Sequence, residues 1–509
     1  MLALAFSAAV AGVDAHVVRV ETDSAAGVPH FALVGLADKA LNESRERVRA
    51  AIVNSGFGFP PGRLLVNLAP ADMQKRGVGF DLAIALALLA TDEQIDRAAL
   101  RDYVVCGELA LDGGLRAVPG VLAMTLAAKR AGFARIVVPE PNRDEAALVD
   151  GIDVYAVPAL ADAIAVILGH GTKFRRRGVT VLDPSDRGSC GDFSDVKGQV
   201  LAKRALEIAA AGGHNVVLVG PPGCGKTMLA RRVPSILPSM TVAEALEVTK
   251  VYSIAGLLGP RPRVVATRPF RAPHHTASRV SLVGGGAIPR PGEISLALNG
   301  VLYLDELGEF SRATLEVLRQ PLEEGAVTIA RAAGTLTFPA RFTLIASMNP
   351  CPCGYRGDRA ADCRCDDTAV QKYLAKLSGP LLDRIDLHVT VSRVSFDELV
   401  HHTTAETSAT IRTRVEAARE RQSARLRGAG VATNAAITAS DVRRFCRLDG
   451  DGLRLLESAV TRGTLSARAF DRIARVARTI ADLAGTEQIA REHVAEALLY
   501  RGGERTRAA

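Results

Sequence analysis

The chain has 509 residues and no tryptophan, and only 4% of its residues are aromatic. Proteins that grip single-stranded bases stack them largely on aromatic rings. The composition therefore argues against a stacking platform and leaves phosphate contacts through Arg and Lys as the expected mode of any nucleic-acid binding. No eighteen consecutive residues are all apolar, so no membrane span is predicted. The apolar run from Met1 to Val13 carries no basic residue, whereas an export signal needs a positive leading segment. It passes into the alternation Val17-Val18-Arg19-Val20-Glu21, which predicts a first β-hairpin and, with it, a cytoplasmic protein. No repeat of 20–50 residues is visible. Cysteines are few, eight in all, but four fall between Cys351 and Cys365. Clustered cysteines in a cytosolic chain point to metal more often than to disulfides.

What is present is an ordinary globular balance, 48% hydrophobic and 23% charged, with a net charge of +8. The length predicts two to four domains, and the modest basic excess fits an acidic partner such as nucleic acid or nucleotide. Residues 1–170 alternate short strands with helices, including a charged helix pattern from Leu36 to Ser55 and an Ala/Leu/Ile helix from Asp81 to Ala90. Residues 171–193, with Arg175-Arg176-Arg177 and Asp183-Pro184, lose periodicity and read as a linker. Residues 194–392 alternate strands and helices again, and residues 393–509 are helical in pattern. The predicted class is α/β, with a parallel-sheet core followed by a helical lid.

The run Asn215-Val216-Val217-Leu218-Val219 suits a buried parallel strand, and Gly220-Pro221-Pro222-Gly223-Cys224-Gly225-Lys226-Thr227 follows it. This is a complete phosphate-binding loop between strand and helix. Its glycines let backbone N–H groups face phosphate oxygens. Lys226 is expected to bridge the β- and γ-phosphates of ATP, and Thr227 to place its hydroxyl on Mg²⁺. Cys224 inside the loop reads as filler. A second strand, Val301-Leu302-Tyr303-Leu304, delivers Asp305 and Glu306 at its C-terminal end, where ligands of parallel sheets bind. Asp305 then supports the Mg²⁺ shell, and Glu306 polarises the attacking water. A third strand, from Leu344 to Met348, ends in Asn349, a residue to orient the water or sense the γ-phosphate, or else a turn residue before Pro350. Together these motifs describe an ATP-driven motor of the AAA+ kind.

These residues resemble the YifB/ComM family of magnesium-chelatase-like AAA+ ATPases. The specific stretches are Arg268-Pro269-Phe270-Arg271-Ala272-Pro273-His274-His275-Thr276, Gly284-Gly285-Gly286, Pro289-Arg290-Pro291-Gly292-Glu293, Asn349-Pro350-Cys351-Pro352-Cys353-Gly354, Ser378 to Asp386, and Leu465-Ser466-Ala467-Arg468. Leu298 stands where the family is expected to have His. The resemblance implies a ring, a homo-hexamer with ATP between subunits, in which Arg384 is an arginine finger and Arg468 a second sensor. It also implies a helicase-type hairpin at Val327–Phe338 with Arg331 near its tip, either a DNA phosphate contact or a surface residue. The implied work is migration of branched DNA during recombination and uptake of foreign DNA. Two alternatives are the ATPase subunit of a metal chelatase and a protein-remodelling or regulatory ATPase. An integrin-like domain suited to the chelatase is not evident.

Residues 1–170 resemble the Lon-protease-type domain that this family carries. The stretch Lys75-Arg76-Gly77-Val78-Gly79-Phe80-Asp81 lacks a following Ser, and no Lys falls between Lys75 and Lys129. Without nucleophile and base the chemistry cannot run, so a non-proteolytic scaffold or DNA-binding domain is expected. Cys351, Cys353, Cys363 and Cys365 form two C-x-C pairs. Four thiolates suit a structural Zn²⁺, although C-x-x-C is the usual spacing, and reduced thiols or a redox disulfide are the other readings. His274-His275 reads as a structural loop.

Overall fold

In a computed structural model of the protein, residues 1–35, 39–70, 79–174, 191–259, 264–286, 290–331, 334–358, 360–377, 379–394, 405–461 and 467–501 are described. The side chains of residues 39–42, 331, 334, 467 and 468 lie outside that description. Lys75 to Val78, most of the predicted linker, and the side chains of Arg331 and Arg468 are thus not among the described features.

The N-terminal part is a seven-stranded sheet, in the order His30–Val34, Arg63–Ala69, Asp14–Ala25, Leu2–Ala11, Tyr103–Val105, Arg135–Pro139, Asp153–Val157. The predicted first hairpin is its centre, with Leu2 opposite Asp23 and Ala11 opposite Asp14. Alternation along the strands sends side chains to opposite faces. One face, with Ala3, Ala5, Val18 and Val20, is covered by the helices Lys39–Asn54 and Asp81–Thr91. The other, with Ala8, Val104, Ile136 and Val138, packs against Val121–Arg130. Every residue of Asp81–Thr91 is buried. Burial raises the Asp81 carboxyl to about 6, against the pull of the Arg47 guanidinium 3.0 Å away.

The second sheet has five parallel strands in the order Phe270–Arg271, Val301–Leu304, Thr343–Met348, Val216–Val219, Leu387–Thr390. The same two-residue period divides its residues between two cores. Val216, Leu218, Tyr303 and Ile345 face the helix Val200–Gly212 and the C-terminal helices. Val217, Leu302, Leu304 and Ala346 face Phe310, Leu315 and Leu381. Chain order and space diverge at the first strand, which lies between the fourth and the fifth. Loops leaving the C-terminal ends of neighbouring strands therefore meet there. Leu298 is fully buried, an apolar fit where His was expected.

The described residues from 405 onward are mostly helical, as the pattern predicts: Ser408–Arg425, Gly450–Thr461, Ala467–Ala484 and Arg491–Leu499 are the longer helices. They are tied to the core by charge and hydrogen bonds as well as apolar packing. Arg204 pairs with Glu496 at 2.8 Å and Arg414 with Glu207 at 2.6 Å. His214 sits between Asp386 (3.1 Å) and the Thr479 hydroxyl (2.8 Å).

The N-terminal sheet meets the core along the helix Val242–Ile254. Lys250 pairs with Asp14 at 2.8 Å, the Ser253 hydroxyl donates to the buried Glu145 carboxylate, and Ile254 packs beside Val10. The antiparallel hairpin Ala326–Arg331/Gly334–Pro339 forms as predicted. The turn of the N-terminal hairpin rests on it: a side chain on Gly12 would sit 3.0 Å from the Thr337 carbonyl, and Gly12 has φ +67°, so the position admits only glycine without strain.

Candidate functional site: a phosphate loop facing two strand ends

The loop 220–227 leaves the Val216–Val219 strand and enters the helix Lys226–Arg232. Gly223 and Gly225 have φ of +78° and +93°, a region that side chains disfavour. Gly220 is needed for space instead, since a Cβ there would lie 2.1 Å from the Val391 carbonyl. Pro221 and Pro222 complete the turn, and Cys224 is buried within it, as a filler would be.

The Lys226 ammonium donates to the carbonyls of Gly220 (2.6 Å) and Pro221 (2.9 Å) and to Asn349 Oδ1 (3.2 Å). Burial lowers its pKa, with the charges of Cys224 and Asp305 resisting. The Thr227 hydroxyl donates to Asp305 Oδ2 at 2.9 Å and accepts from the Tyr303 hydroxyl at 3.3 Å. Ser347 donates to the other Asp305 oxygen and accepts from the Glu306 N–H at 3.3 Å. Burial pushes the Asp305 carboxyl up, but hydrogen bonds from Ser347, Thr227 and Tyr303 outweigh it and hold the group below the usual carboxylate range. Lys226, Thr227, Asp305, Glu306 and Asn349 thus come together in one cleft, as their positions at three adjacent strand ends require.

Three participants are additional to the sequence reading. Tyr303 lies two residues before Asp305, and Ser347 two before Asn349. The strand period puts each on the same face as the residue two positions on, a signal readable in principle once the sheet order is known. The third is His275. Its Nδ1 lies 3.5 Å from Glu306 Oε2, its ring meets Phe310 edge-on at 6.4 Å, and the His274 ring lies beside it at 4.1 Å, tilted by 34°. The loop that carries it is anchored by Arg271, bidentate on Glu293 at 2.6 and 2.8 Å, and by Arg268 on Glu244 and on the Asn299 carbonyl. The loop is structural, as expected, and it also delivers a ring to the cleft.

Arg384 is held by Glu323 and by the Pro380 carbonyl. Arg468 starts the helix Ala467–Ala484, and its side chain is outside the described residues. The four clustered cysteines do converge, with Sγ atoms all within 4.8 Å of one another. Cys351–Cys353, Cys353–Cys363 and Cys351–Cys363 are 3.4, 3.6 and 3.7 Å apart. The Arg356 N–H points at the Cys351 sulfur and the Cys353 N–H at the Cys365 sulfur, both at 3.4 Å. N–H groups of Tyr355 and Arg364 lower the Cys353 thiol. None of the four forms a disulfide.

Comparison with known proteins places this geometry. The family described as magnesium chelatase, subunit ChlI, matches residues 192–399, its C-terminal part matches 405–501, and the family described as subunit ChlI of Mg-chelatase matches 20–142. The competence protein ComM of Haemophilus influenzae is 44% identical over 506 residues, covering 98% of this chain and 97% of its own. YifB of Escherichia coli is 43% identical over 507 residues, covering 99% and 98%. The 67 kDa magnesium-chelatase subunit of Chlorobaculum parvum is 30% identical over 164 residues, 31% of this chain and 23% of that one. Models that span the core and lid, and relatives matched end to end, make this chain a member of the YifB/ComM family of magnesium-chelatase-like AAA+ proteins.

Proposed function

We propose that the protein hydrolyses ATP and uses the energy as a DNA branch-migration helicase, working as a homo-hexameric ring. The observation that carries the hydrolytic half is the single hydrogen-bonded chain Tyr303–Thr227–Asp305–Ser347 beside Lys226 and Asn349. Lys226 is held by two carbonyls of its own loop, contacts that triphosphate oxygens would replace. Thr227 and Asp305 are the residues to hold Mg²⁺, and the ion would neutralise charge on the β- and γ-phosphate oxygens. Glu306 polarises the attacking water, and Asn349 orients it against the γ-phosphate. Arg384 reaches the nucleotide of a neighbouring subunit, where a cation supplied in trans is worth several powers of ten in rate. Arg468 contacts the nucleotide from the lid.

The DNA half rests on the ComM relative, the basic net charge of +8 and the hairpin Ala326–Arg331/Gly334–Pro339. Arg331 is its candidate phosphate contact. The chelatase reading is weaker, because the 67 kDa chelatase subunit of Chlorobaculum parvum aligns with only 31% of this chain, whereas ComM aligns with 98% of it. A Holliday junction is expected to stimulate ATP hydrolysis and to be migrated in its presence. A protein that neither binds nor responds to branched DNA would retain only the ATPase assignment. Lys226→Ala is expected to abolish nucleotide turnover. Glu306→Gln should still bind ATP while turnover falls by about 100-fold or more. Retained hydrolysis in both would overturn the site itself.

The four-cysteine cluster we assign to a structural Zn²⁺. For Zn–S bonds of about 2.3 Å, tetrahedral ligation sets the sulfurs about 3.8 Å apart, close to the 3.4–3.7 Å found among Cys351, Cys353 and Cys363, with Cys365 within 4.8 Å of all three. Backbone N–H groups on two of the sulfurs are the outer support such a site needs. Purified protein should carry about one zinc per chain.

A further inference from the structure

The cysteine cluster is not remote from the phosphate loop. Cys351 follows Asn349 by two residues, so the strand end that presents Asn349 to Lys226 runs directly into the first ligand. Gly354, inside the first pair of cysteines' turn, lies against the phosphate loop itself. A Cβ on it would fall 2.7 and 2.8 Å from Cδ and Cγ of Pro222, and 3.7 Å from Cγ of Asn349. Gly354 also has φ +87°, so the turn is shaped for that approach and a side chain is strained there on both counts. The remaining two thiols, Cys363 and Cys365, come from the far side of a loop that includes the Tyr355–Asp358 turn. Among the described residues, the loop's middle is held by Arg393, which pairs with Asp358 at 3.0 Å and lies 5.8 Å over the Tyr355 ring, and by the Arg356–Asp367 ion pair at 3.0 Å. What brings Cys363 and Cys365 back onto Cys351 and Cys353 is chiefly the four sulfurs, with two N–H···S contacts.

We infer that the four-cysteine knuckle is a metal-dependent clamp on the ATP site: a thiophilic divalent ion, zinc, bound by Cys351, Cys353, Cys363 and Cys365 fixes Gly354 against Pro222 and Asn349 against Lys226. The inference rests on the zinc and ATP-site assignments above and adds that the nucleotide chemistry responds to the metal. The physical argument is one of tolerance. Phosphoryl transfer requires placement of the reacting groups to within a fraction of an ångström. Arg393 holds the middle of the loop in either case, but without a central ion the sulfurs themselves have only weak contacts to hold them together, so Asn349 and the Gly354–Pro222 contact would share the freedom of the cysteine turns. Loss of the ion acts on nucleotide binding through Pro222 and on turnover through Asn349, without removing any group that touches ATP.

Two variants of the full-length chain separate the outcomes. Cys363→Ser/Cys365→Ser removes the two distal ligands and leaves residues 349–354 intact. Gly354→Ala keeps all four ligands and presses on Pro222 directly. Zinc content is measured on each protein by elemental analysis, the fold by circular dichroism and thermal melting, and KM and kcat for ATP by steady-state assay. The double variant is expected to lose zinc, and both variants to show KM for ATP raised or kcat lowered by about tenfold or more, with melting of the rest of the chain retained. Removing zinc from the wild-type protein with a chelator should give the same change, reversed by added Zn²⁺ and not by added Mg²⁺. Wild-type protein without zinc would refute the metal assignment. Zinc present in the wild type, but unchanged KM and kcat in Gly354→Ala and in chelator-treated protein, would refute the clamp and leave the metal structural. If the double variant does not fold, Gly354→Ala and reversible chelation decide alone.

Discussion

Glu306 occupies left-handed backbone, with φ +52°, a conformation that an L-residue with a long side chain adopts at a cost of about 1–3 kcal/mol. The strand end holds it there through its N–H, which donates to Ser347 and to Asp305 Oδ1 at 3.1 Å. The side chain is then met by His275. A carboxylate that must aim at one water gains from a neighbour that limits its rotamers. His275→Ala is expected to lower kcat for ATP by about tenfold with little change in KM, and His275→Gln, which keeps a donor, to recover part of it. Equal loss in both variants, together with a lower melting temperature, would assign the ring to loop packing only. Ser347→Ala removes a donor that helps keep Asp305 ionised. The Mg²⁺ concentration needed for half-maximal turnover should rise by about tenfold, and an unchanged Mg²⁺ dependence would show that Tyr303 and Thr227 suffice. The phosphate loop and the Asp305–Glu306 pair were legible because their chemistry is written in consecutive residues. His275 and Ser347 were not, because 31 and 41 residues of chain separate them from Glu306 and only the sheet order closes those gaps.

Among elements, the helix Ala467–Ala484 inverts an ordinary expectation. Two of its arginines turn inward: the Arg472 side chain is 15% exposed and Arg478 only 1%. Arg478 shares the buried Asp482 carboxylate with Arg425, which reaches it at 2.6 and 2.8 Å, and Asn434 donates to the same group at 2.8 Å. Periodicity alone locates the helix and cannot say which stripe is buried, since a charged stripe is normally the solvated one. Here one carboxylate serves two guanidinium groups, and Arg478 also donates to the carbonyls of Thr486 and Glu487. Removing only the carboxylate would leave the cations unpaired. Asp482→Asn is expected to destabilise the lid by about 3–5 kcal/mol in denaturant unfolding; a change below about 1 kcal/mol would mean the guanidinium groups find water or carbonyls instead. The strands of the first sheet were legible as alternating segments, but not their order, because pairing His30–Val34 with Arg63–Ala69 joins residues across an intervening helix.

At the scale of the whole molecule, the N-terminal sheet and the ATPase core are joined by a mixed contact. Asp14 is held by Lys250 and lies 3.7 Å from Arg130. The hydrogen bond from Lys250 lowers its carboxyl below 3.8, burial notwithstanding. A depressed carboxylate contributes stability above its unfolded value and loses it as pH falls through the folded one. The Asp14–Lys250 bridge should therefore be indifferent to pH from 7 down to about 4 and weaken below that. Lys250→Met is expected to lower the melting temperature of the full chain at pH 7 and to lessen its further drop between pH 4 and pH 3. A drop unaltered by the substitution would place the acid sensitivity elsewhere, for instance at Asp386 with His214. None of this junction was legible beforehand. Asp14 and Lys250 are unremarkable residues 236 positions apart, and only the docking of two separately formed cores brings them together.

The Gly12 turn sets a rule for how the molecule can move. It closes a strand pair whose first strand has ten residues, about 33 Å of stiff ribbon running through the middle of the N-terminal sheet. Its tip bears on the backbone of the core hairpin at Thr337. A tilt of that hairpin therefore works on the short end of a lever whose long end is a seven-stranded sheet. Whatever displaces the hairpin must carry the sheet along or part the two at that glycine.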